Sequence, residues 1–408
     1  MRVGIEKIRV YPTSMTLPMT RLCEARHHDL ADIRDVMMID ERAVNPPWED
    51  PVTMAVNAAM PMLTEADRAS IELLLVCSES GVDQEKPMST WVQRYLGLSS
   101  KTRNLEVKHA CYSGTGALHL AASWIASGLA PKGKKALVIT TDQSRMHLGK
   151  PYEFVMGAAA TAILVSATPS LFEIEPGKSG VHTHEVSDLT RPTSRVETGN
   201  SETSLLSYLD GLDGALGAYL ERIGEPIAYD YFKRNIYHVP FGGMTLRASR
   251  AALRLFGDFT RAEADALWRA KTLPSLAYLK RLGGTYASST FIALTTLLER
   301  EAELTRGDRI GMYAYGSGSC AEFWSGLVGE GAHEVAAAAN LGALCDARHV
   351  LTVREYEEAE RERSCYIDSG DFEPSTDGFG DLYKRVYEGA GRLVFKGARE
   401  HYRQYGWS

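Results

Sequence analysis

Along the chain, short apolar runs alternate with stretches of helical period. Val3, Ile5, Ile8 and Val10 give residues 1–12 the pattern of a first strand. Ile71–Cys77 is almost wholly apolar, the pattern of a strand buried on both faces, and residues 135–141 and 160–165 repeat it. Helical segments are expected over about 51–63, 88–97 and 115–128. Asp50-Pro51 opens the first of these, because proline suits a first turn whose N–H has no partner. Residues 20–50 are mixed and polar and predict a surface excursion with a short helix. Residues 175–205 are polar and turn-rich.

The second part of the chain echoes the first. A long helix is predicted from Ser204 to about Ile223, a strand-like segment between 227 and 238, helices near 246–256 and 285–299, and a strand over 309–315. This order predicts a layered α/β fold built from two similar halves, residues 1–168 and 169–408, each presenting strand ends to a shared centre. The aromatic and basic tail from about Asp368 reads as a surface-packed terminal segment.

Composition narrows the picture. The 408 residues are 44% hydrophobic and 24% charged, with a formal charge of −7, so the overall field gives no reason to expect nucleic-acid binding. No apolar run approaches the roughly 18 residues of a membrane span, and residues 1–6 enter a strand pattern rather than a signal peptide, which predicts a cytoplasmic protein. Cys23, Cys77, Cys111, Cys320, Cys345 and Cys365 are scattered without metal-ligand spacing and read as free thiols, with no metal site expected.

Candidate chemistry collects at strand ends. Cys111 lies in Lys108-His109-Ala110-Cys111-Tyr112-Ser113-Gly114, where an extended run gives way to small residues and a helix pattern. The following helix N-terminus is expected to lower the thiol pKa. Glu79 follows the apolar strand Ile71–Cys77, and a carboxylate at a buried strand end is expected to titrate high, which suits general acid–base work. His238 precedes a sharp Pro240-Phe241-Gly242-Gly243 turn. Gly316-Ser317-Gly318-Ser319 follows a strand, and its placement before an expected aromatic helix favours a backbone nest over a linker. Thiol, carboxylate and imidazole together suggest thioester chemistry.

At this point the sequence resembles a known family. Val76-Cys77-Ser78-Glu79-Ser80-Gly81, His109-Ala110-Cys111-Tyr112-Ser113-Gly114, Tyr237-His238-Val239-Pro240-Phe241 and Tyr315-Gly316-Ser317-Gly318-Ser319 are similar to motifs of 3-hydroxy-3-methylglutaryl-CoA (HMG-CoA) synthases, in order and over nearly the whole chain. The resemblance implies a thiolase fold, five layers αβαβα from two similar halves, normally a homodimer. It implies Cys111 as acyl-accepting nucleophile, Glu79 as base and acid in carbon–carbon bond formation, and His238 as the group that holds the acceptor. It implies an oxyanion hole from the amides of Cys111 and Ser319, with Tyr112, Asp142, Asp188, Gly318 and Tyr286 around the substrate.

Departures from the family pattern refine the expectation. Gly242-Gly243-Met244 stands where a CoA-directed lysine is usual, and Gly284 stands where an acceptor-contacting asparagine is usual. With the Tyr-Gly-Trp-Ser ending, this points to the branch that works in polyketide β-branching, on acetyl and β-ketoacyl groups carried by the phosphopantetheine of acyl carrier protein (ACP). No bound cofactor and no membrane partner are expected. Arg247, Arg250 and Arg254, on one predicted helix face, are the expected contacts for an acidic carrier protein. The alternatives are an HMG-CoA synthase using free CoA esters, a decarboxylating ketosynthase, and a catalytically silent carrier-binding scaffold.

Overall fold

The computed structural model describes residues 2–144, 148–367 and 369–408; Asp368, where the tail is expected to start, lies outside them. Nine strands form the main sheet: β1 (Gly4–Tyr11), β2 (Ile71–Cys77), β3 (Arg103–Val107), β4 (Lys135–Gln143), β5 (Ala158–Ser166), β6 (Phe172–Thr183), β7 (Arg234–Tyr237), β8 (Arg309–Gly316) and β9 (Cys320–Val328). Their order is β7-β8-β9-β6-β1-β5-β4-β2-β3. The two halves of the sheet join at a narrow neck, where Gly4 and Ile5 of β1 pair with Glu173 and Phe172 of β6. Gly4 is required there, since a Cβ would lie 2.2 Å from the Phe172 carbonyl oxygen.

The period of two along the buried strands sorts side chains into separate cores. Leu73, Leu75 and Cys77 of β2 face an inner core shared by both halves, and Leu74 and Val76 face an outer one. The inner core holds the helices α1 (Ser113–Ala126) and α2 (Ser289–Arg300). The outer core of the first half is covered by the helix Pro51–Ala59, which opens on an Asp50–Thr53 capping box with Pro51 behind it. The outer core of the second half lies under α3 (Ser201–Ile223) and α4 (Gly242–Leu253). Helix, sheet, helix, sheet, helix is the αβαβα order of a thiolase fold.

Three expectations change. Residues 175–183, expected as turns, belong to β6, because this polar stretch sits on a strand whose backbone pairs with β9 over Phe172–Ile174 and Ser179–Thr183. Glu322-Phe323-Trp324 lie in β9 rather than a helix. Phe323 enters the outer core and Trp324 the inner one, so alternation decides the element. The tail is more than a surface segment. Strands Leu393–Arg399 and Tyr402–Trp407 form a hairpin that buries Leu393, Val394 and Phe395, and Arg403 donates to Asp50 at 2.6 Å. This hairpin and His349–Val350, which pairs with Met15 and Thr16, pack on elements of residues 1–168, so the two stretches 1–168 and 169–408 interlock.

Candidate active site

The turn that carries Cys111 is built from small residues and an unusual backbone. Ala110 adopts φ +41°, Tyr112 N–H donates to the His109 carbonyl at 3.1 Å, and α1 starts two residues after the thiol. Gly316 at the end of β8 packs onto this turn. A Cβ on Gly316 would lie 2.6 Å from the His109 carbonyl and 2.7 Å from Tyr112 N. The end of the second half is thereby seated directly on the nucleophile's loop.

Glu79 reaches the same point from β2. The Cys111 thiol donates to Glu79 Oε2 at 3.4 Å. The Glu79 turn is held from below by Asp142 Oδ1, which accepts from Ser78 Oγ (3.0 Å), Glu79 N–H (2.9 Å) and Ser80 Oγ (2.9 Å). From the side, Arg191 Nη1 donates to the Glu79 carbonyl at 2.5 Å while its Nε donates to Glu197 at 3.0 Å. Burial, and then the neighbouring Asp142 charge, push the Glu79 carboxyl up to about 7, as its strand-end position predicts. Such a group donates and accepts protons readily near neutrality.

His238, buried just past β7, is held through its main chain and its ring. Its N–H donates to the Tyr313 carbonyl at 2.8 Å, and its carbonyl accepts from Tyr208 Oη of α3 at 2.8 Å. Its Nδ1 lies 2.9 Å from Ser289 Oγ at the start of α2. That hydroxyl also accepts from Val239 N–H at 3.3 Å, so its own proton is available to Nδ1. When Nδ1 accepts from that hydroxyl, Nε2 is the N–H donor of the ring. Burial lowers the His238 pKa to about 3, so the neutral imidazole is the resident form.

Other expected residues take different parts. The Cys111 thiol is raised well above its ordinary value, by burial first and by the Glu79 charge next. The helix N-terminus does not prevail against them, and the thiol rather than the thiolate rests beside Glu79. Ser319 N–H does not point at a free oxyanion site; it donates to the His184 carbonyl at 2.9 Å. Asp188 is fully buried and accepts from Tyr315 Oη (3.0 Å) and Gly318 N–H (3.1 Å), bracing the glycine-serine loop. Asp142 braces the Glu79 turn, and Tyr112 Oη donates to Glu322 at 2.7 Å. These three brace loops of the site, and Asp142 Oδ2 is buried with no hydrogen-bond partner among the described residues. Tyr286 is different. It is buried with φ +51°, and its hydroxyl has no hydrogen-bond partner among the described residues.

The arginines do not form one uniform face. Arg247 is exposed, but Arg250 is half-buried and donates to Asp265 at 2.7 Å. The Arg254 side chain is 71% exposed and lies 4.0 Å from Asp213. Arg250, Arg254 and Arg261 line a shallow cleft with Leu253 and Phe259.

Comparison with known proteins places this geometry. Residues 258–388 match the family model described as hydroxymethylglutaryl-coenzyme A synthase C terminal. The chain is 38% identical over 369 residues to the polyketide biosynthesis 3-hydroxy-3-methylglutaryl-ACP synthase PksG of Bacillus subtilis, covering 87% of each chain. The chain belongs to the hydroxymethylglutaryl-CoA synthase family. The hydroxymethylglutaryl-CoA synthase of Enterococcus faecalis is 32% identical over 88% of this chain and 91% of its own. Among solved structures, the curacin biosynthetic pathway HMG synthase in complex with holo donor-ACP superposes with a TM-score of 0.95 at 38% identity, over all of both chains. As a hydroxymethylglutaryl synthase-family protein, the chain is a carbon–carbon bond-forming acyltransferase.

Within that family setting, the departures have a steric basis. A Cβ on Gly243 would lie 1.9 Å from the Val36 carbonyl, and one on Gly242 2.7 Å from Met38 Cβ. Residues 36–38 occupy the space that side chains at 242 and 243 would need. A Cβ on Gly284 would lie 2.8 Å from the Pro240 carbonyl. Sequence reasoning assigned no role to Ser289 or Tyr208, which orient His238, or to Glu197. Each sits inside a helix pattern or the polar stretch. Arg191 lies three residues after Asp188, and Arg191-Pro192 is itself part of the resemblance to the family, though without an assigned role.

Proposed function

We propose that the protein is an HMG synthase of polyketide β-branching that takes acetyl from acetyl-ACP and adds it to a β-ketoacyl-ACP. The observation that carries this reading is the Cys111 thiol donating to a Glu79 carboxyl held near pKa 7. The likeness to the curacin HMG synthase bound to donor-ACP supports the carrier-borne donor. So does the close packing at Gly242-Gly243, which leaves no room for a CoA-directed lysine there.

The Cys111 sulfur attacks the acetyl carbonyl, the bond to the carrier's phosphopantetheine sulfur breaks, and the thiol proton leaves with the carrier. Glu79 then takes a proton from the acetyl methyl. The carbanion adds to the β-ketone of the acceptor, whose carbonyl receives a hydrogen bond from His238 Nε2. The protonated Glu79 returns its proton to the new alkoxide. Water cleaves the Cys111 thioester, giving a carboxylate on a 3-hydroxy-3-methylglutaryl-type ACP product, restoring the thiol and releasing one proton to solvent. The steps balance with no bound cofactor or metal. The outward charges of Arg247 and Arg254 are proposed to meet the acidic carrier protein. A cytoplasmic homodimer is the proposed form: among the described residues β3 ends the sheet with an unpaired edge, on which Leu105 is half exposed. Among the described residues, no helix is long and apolar enough to cross a membrane.

Intact-protein mass spectrometry tests the reading. With acetyl-ACP, the wild type and Glu79→Gln are expected to gain one acetyl mass and Cys111→Ala none. Only the wild type is expected to convert β-ketoacyl-ACP. An acetyl adduct on Cys111→Ala, or condensation by Glu79→Gln, overturns the assignment. Equal rates with free acetyl-CoA and acetoacetyl-CoA would move the protein to the CoA-dependent group.

A further inference from the structure

A cluster outside the reaction has the makings of a metal site. His182 and His184, at the end of β6 and just past it, are two residues apart, so their side chains leave the strand on the same side. Asp210 of α3 faces them, with Oδ2 3.5 Å from His182 Nε2. One ring nitrogen of each histidine and a carboxylate oxygen of Asp210 lie within 4.8 Å of one another. Gly214, one helical turn beyond Asp210, makes the seat. A Cβ there would come 2.4 Å from His182 Cγ and Nδ1, so the imidazole rests against bare helix backbone.

We propose that His182, His184 and Asp210 bind a borderline transition-metal cation, of which Zn²⁺ is the type, as an open three-ligand site completed by water. Two neutral imidazoles and one carboxylate suit Zn²⁺, Co²⁺ or Ni²⁺, whereas Ca²⁺ and Mg²⁺ prefer all-oxygen ligation. The three groups are half-buried to exposed, so an ion enters from solvent. The site spans two elements that hold catalytic loops. The His184 carbonyl accepts from Ser319 N–H at 2.9 Å and from Ser319 Oγ at 3.1 Å. Tyr208, two residues before Asp210, donates to the His238 carbonyl at 2.8 Å. A bound ion ties the strand end that holds the glycine-serine loop to the helix that holds His238.

The test uses tag-free full-length protein carrying Cys365→Ser, which removes the exposed thiol. Co²⁺ is titrated by its visible absorbance and Zn²⁺ by competition with a chromophoric chelator. One equivalent is expected to bind, with at least about tenfold weaker affinity in each of His182→Ala, His184→Ala and Asp210→Asn. Zn²⁺ is expected to raise the melting temperature of the parent and not of these variants. Asp210 is at the surface, so the Asn variant tests the ligand without threatening the fold; unchanged Cys111 acetylation confirms that each variant is folded. Undiminished affinity in all three variants, or binding below a fifth of an equivalent, overturns the proposal and leaves a histidine–aspartate contact only.

Discussion

Replacing Glu79 with glutamine should stabilise the free enzyme, and only at the higher end of the pH range. The Glu79 carboxyl titrates near 7 in the folded protein against an ordinary value of 4.5, because burial and Asp142 disfavour its charge. The folded state therefore holds this proton more tightly than the unfolded chain. Below about pH 4.5 both states are protonated and there is no cost. As pH rises from there to about 7, the unfolded chain ionises first and stability falls; above 7 the full cost is present. At 1.36 kcal/mol per pKa unit, the rise to about 7 corresponds to roughly 3 kcal/mol. Glu79 is not wholly shielded from solvent, so about 1–3 kcal/mol is the expected observable. Glutamine cannot ionise and keeps nearly the same shape. Urea unfolding of wild type and Glu79→Gln at pH 5 and pH 8, without substrate, measures the difference. The variant should be more stable at pH 8, with most of the gap gone at pH 5. A gap of equal size at both values, or a less stable variant at pH 8, would refute a carboxyl held neutral by its surroundings.

Other expectations concern the groups around it. Ser289→Ala removes the hydroxyl that fixes the His238 ring; the loss of about 1 kcal/mol should slow condensation roughly fivefold, seen in single-turnover kinetics, and leave the acetyl adduct unchanged. Gly316→Ala would push a methyl group into the backbone of the Cys111 turn, costing about 1–3 kcal/mol in unfolding free energy and slowing acetylation measured by mass spectrometry. Arg254→Glu should raise KM for carrier-borne substrates and leave acetylation by acetyl-CoA unchanged. Arg250→Glu should instead lower thermal stability by breaking its pair with Asp265.

Much of this site could be read from the order of residues. Glu79 stands where a buried apolar run stops, a boundary that survives in sequence because burial imposes it, and Cys111 and His238 stand where an extended run gives way to a turn. The protonation of Cys111 was not legible. It depends on which charge lies nearest the sulfur in space, and Glu79 is 32 residues away in the chain. The supporting shell was hidden for a related reason. Ser289 looks like an ordinary residue of a buried helix until the helix start is placed against His238. Likewise β6 carries too many polar residues to announce itself as a strand, and its pairing with β9 is what fixes it.

The contact between Gly316 and the Cys111 turn has a consequence for how activity fails. Glu79 and Cys111 stand on one half of the molecule, His238 and the glycine-serine loop on the other, and the two sets meet backbone to backbone where a single methyl group would not fit. Competence for catalysis is thus a property of the seam rather than of either half. Partial loosening there, by mild denaturant or by mutation far from any reacting atom, silences the enzyme while most of its secondary structure survives. The nucleophile then works as a built-in gauge of alignment, and its acylation rate reports strain in the seam before spectroscopy detects unfolding.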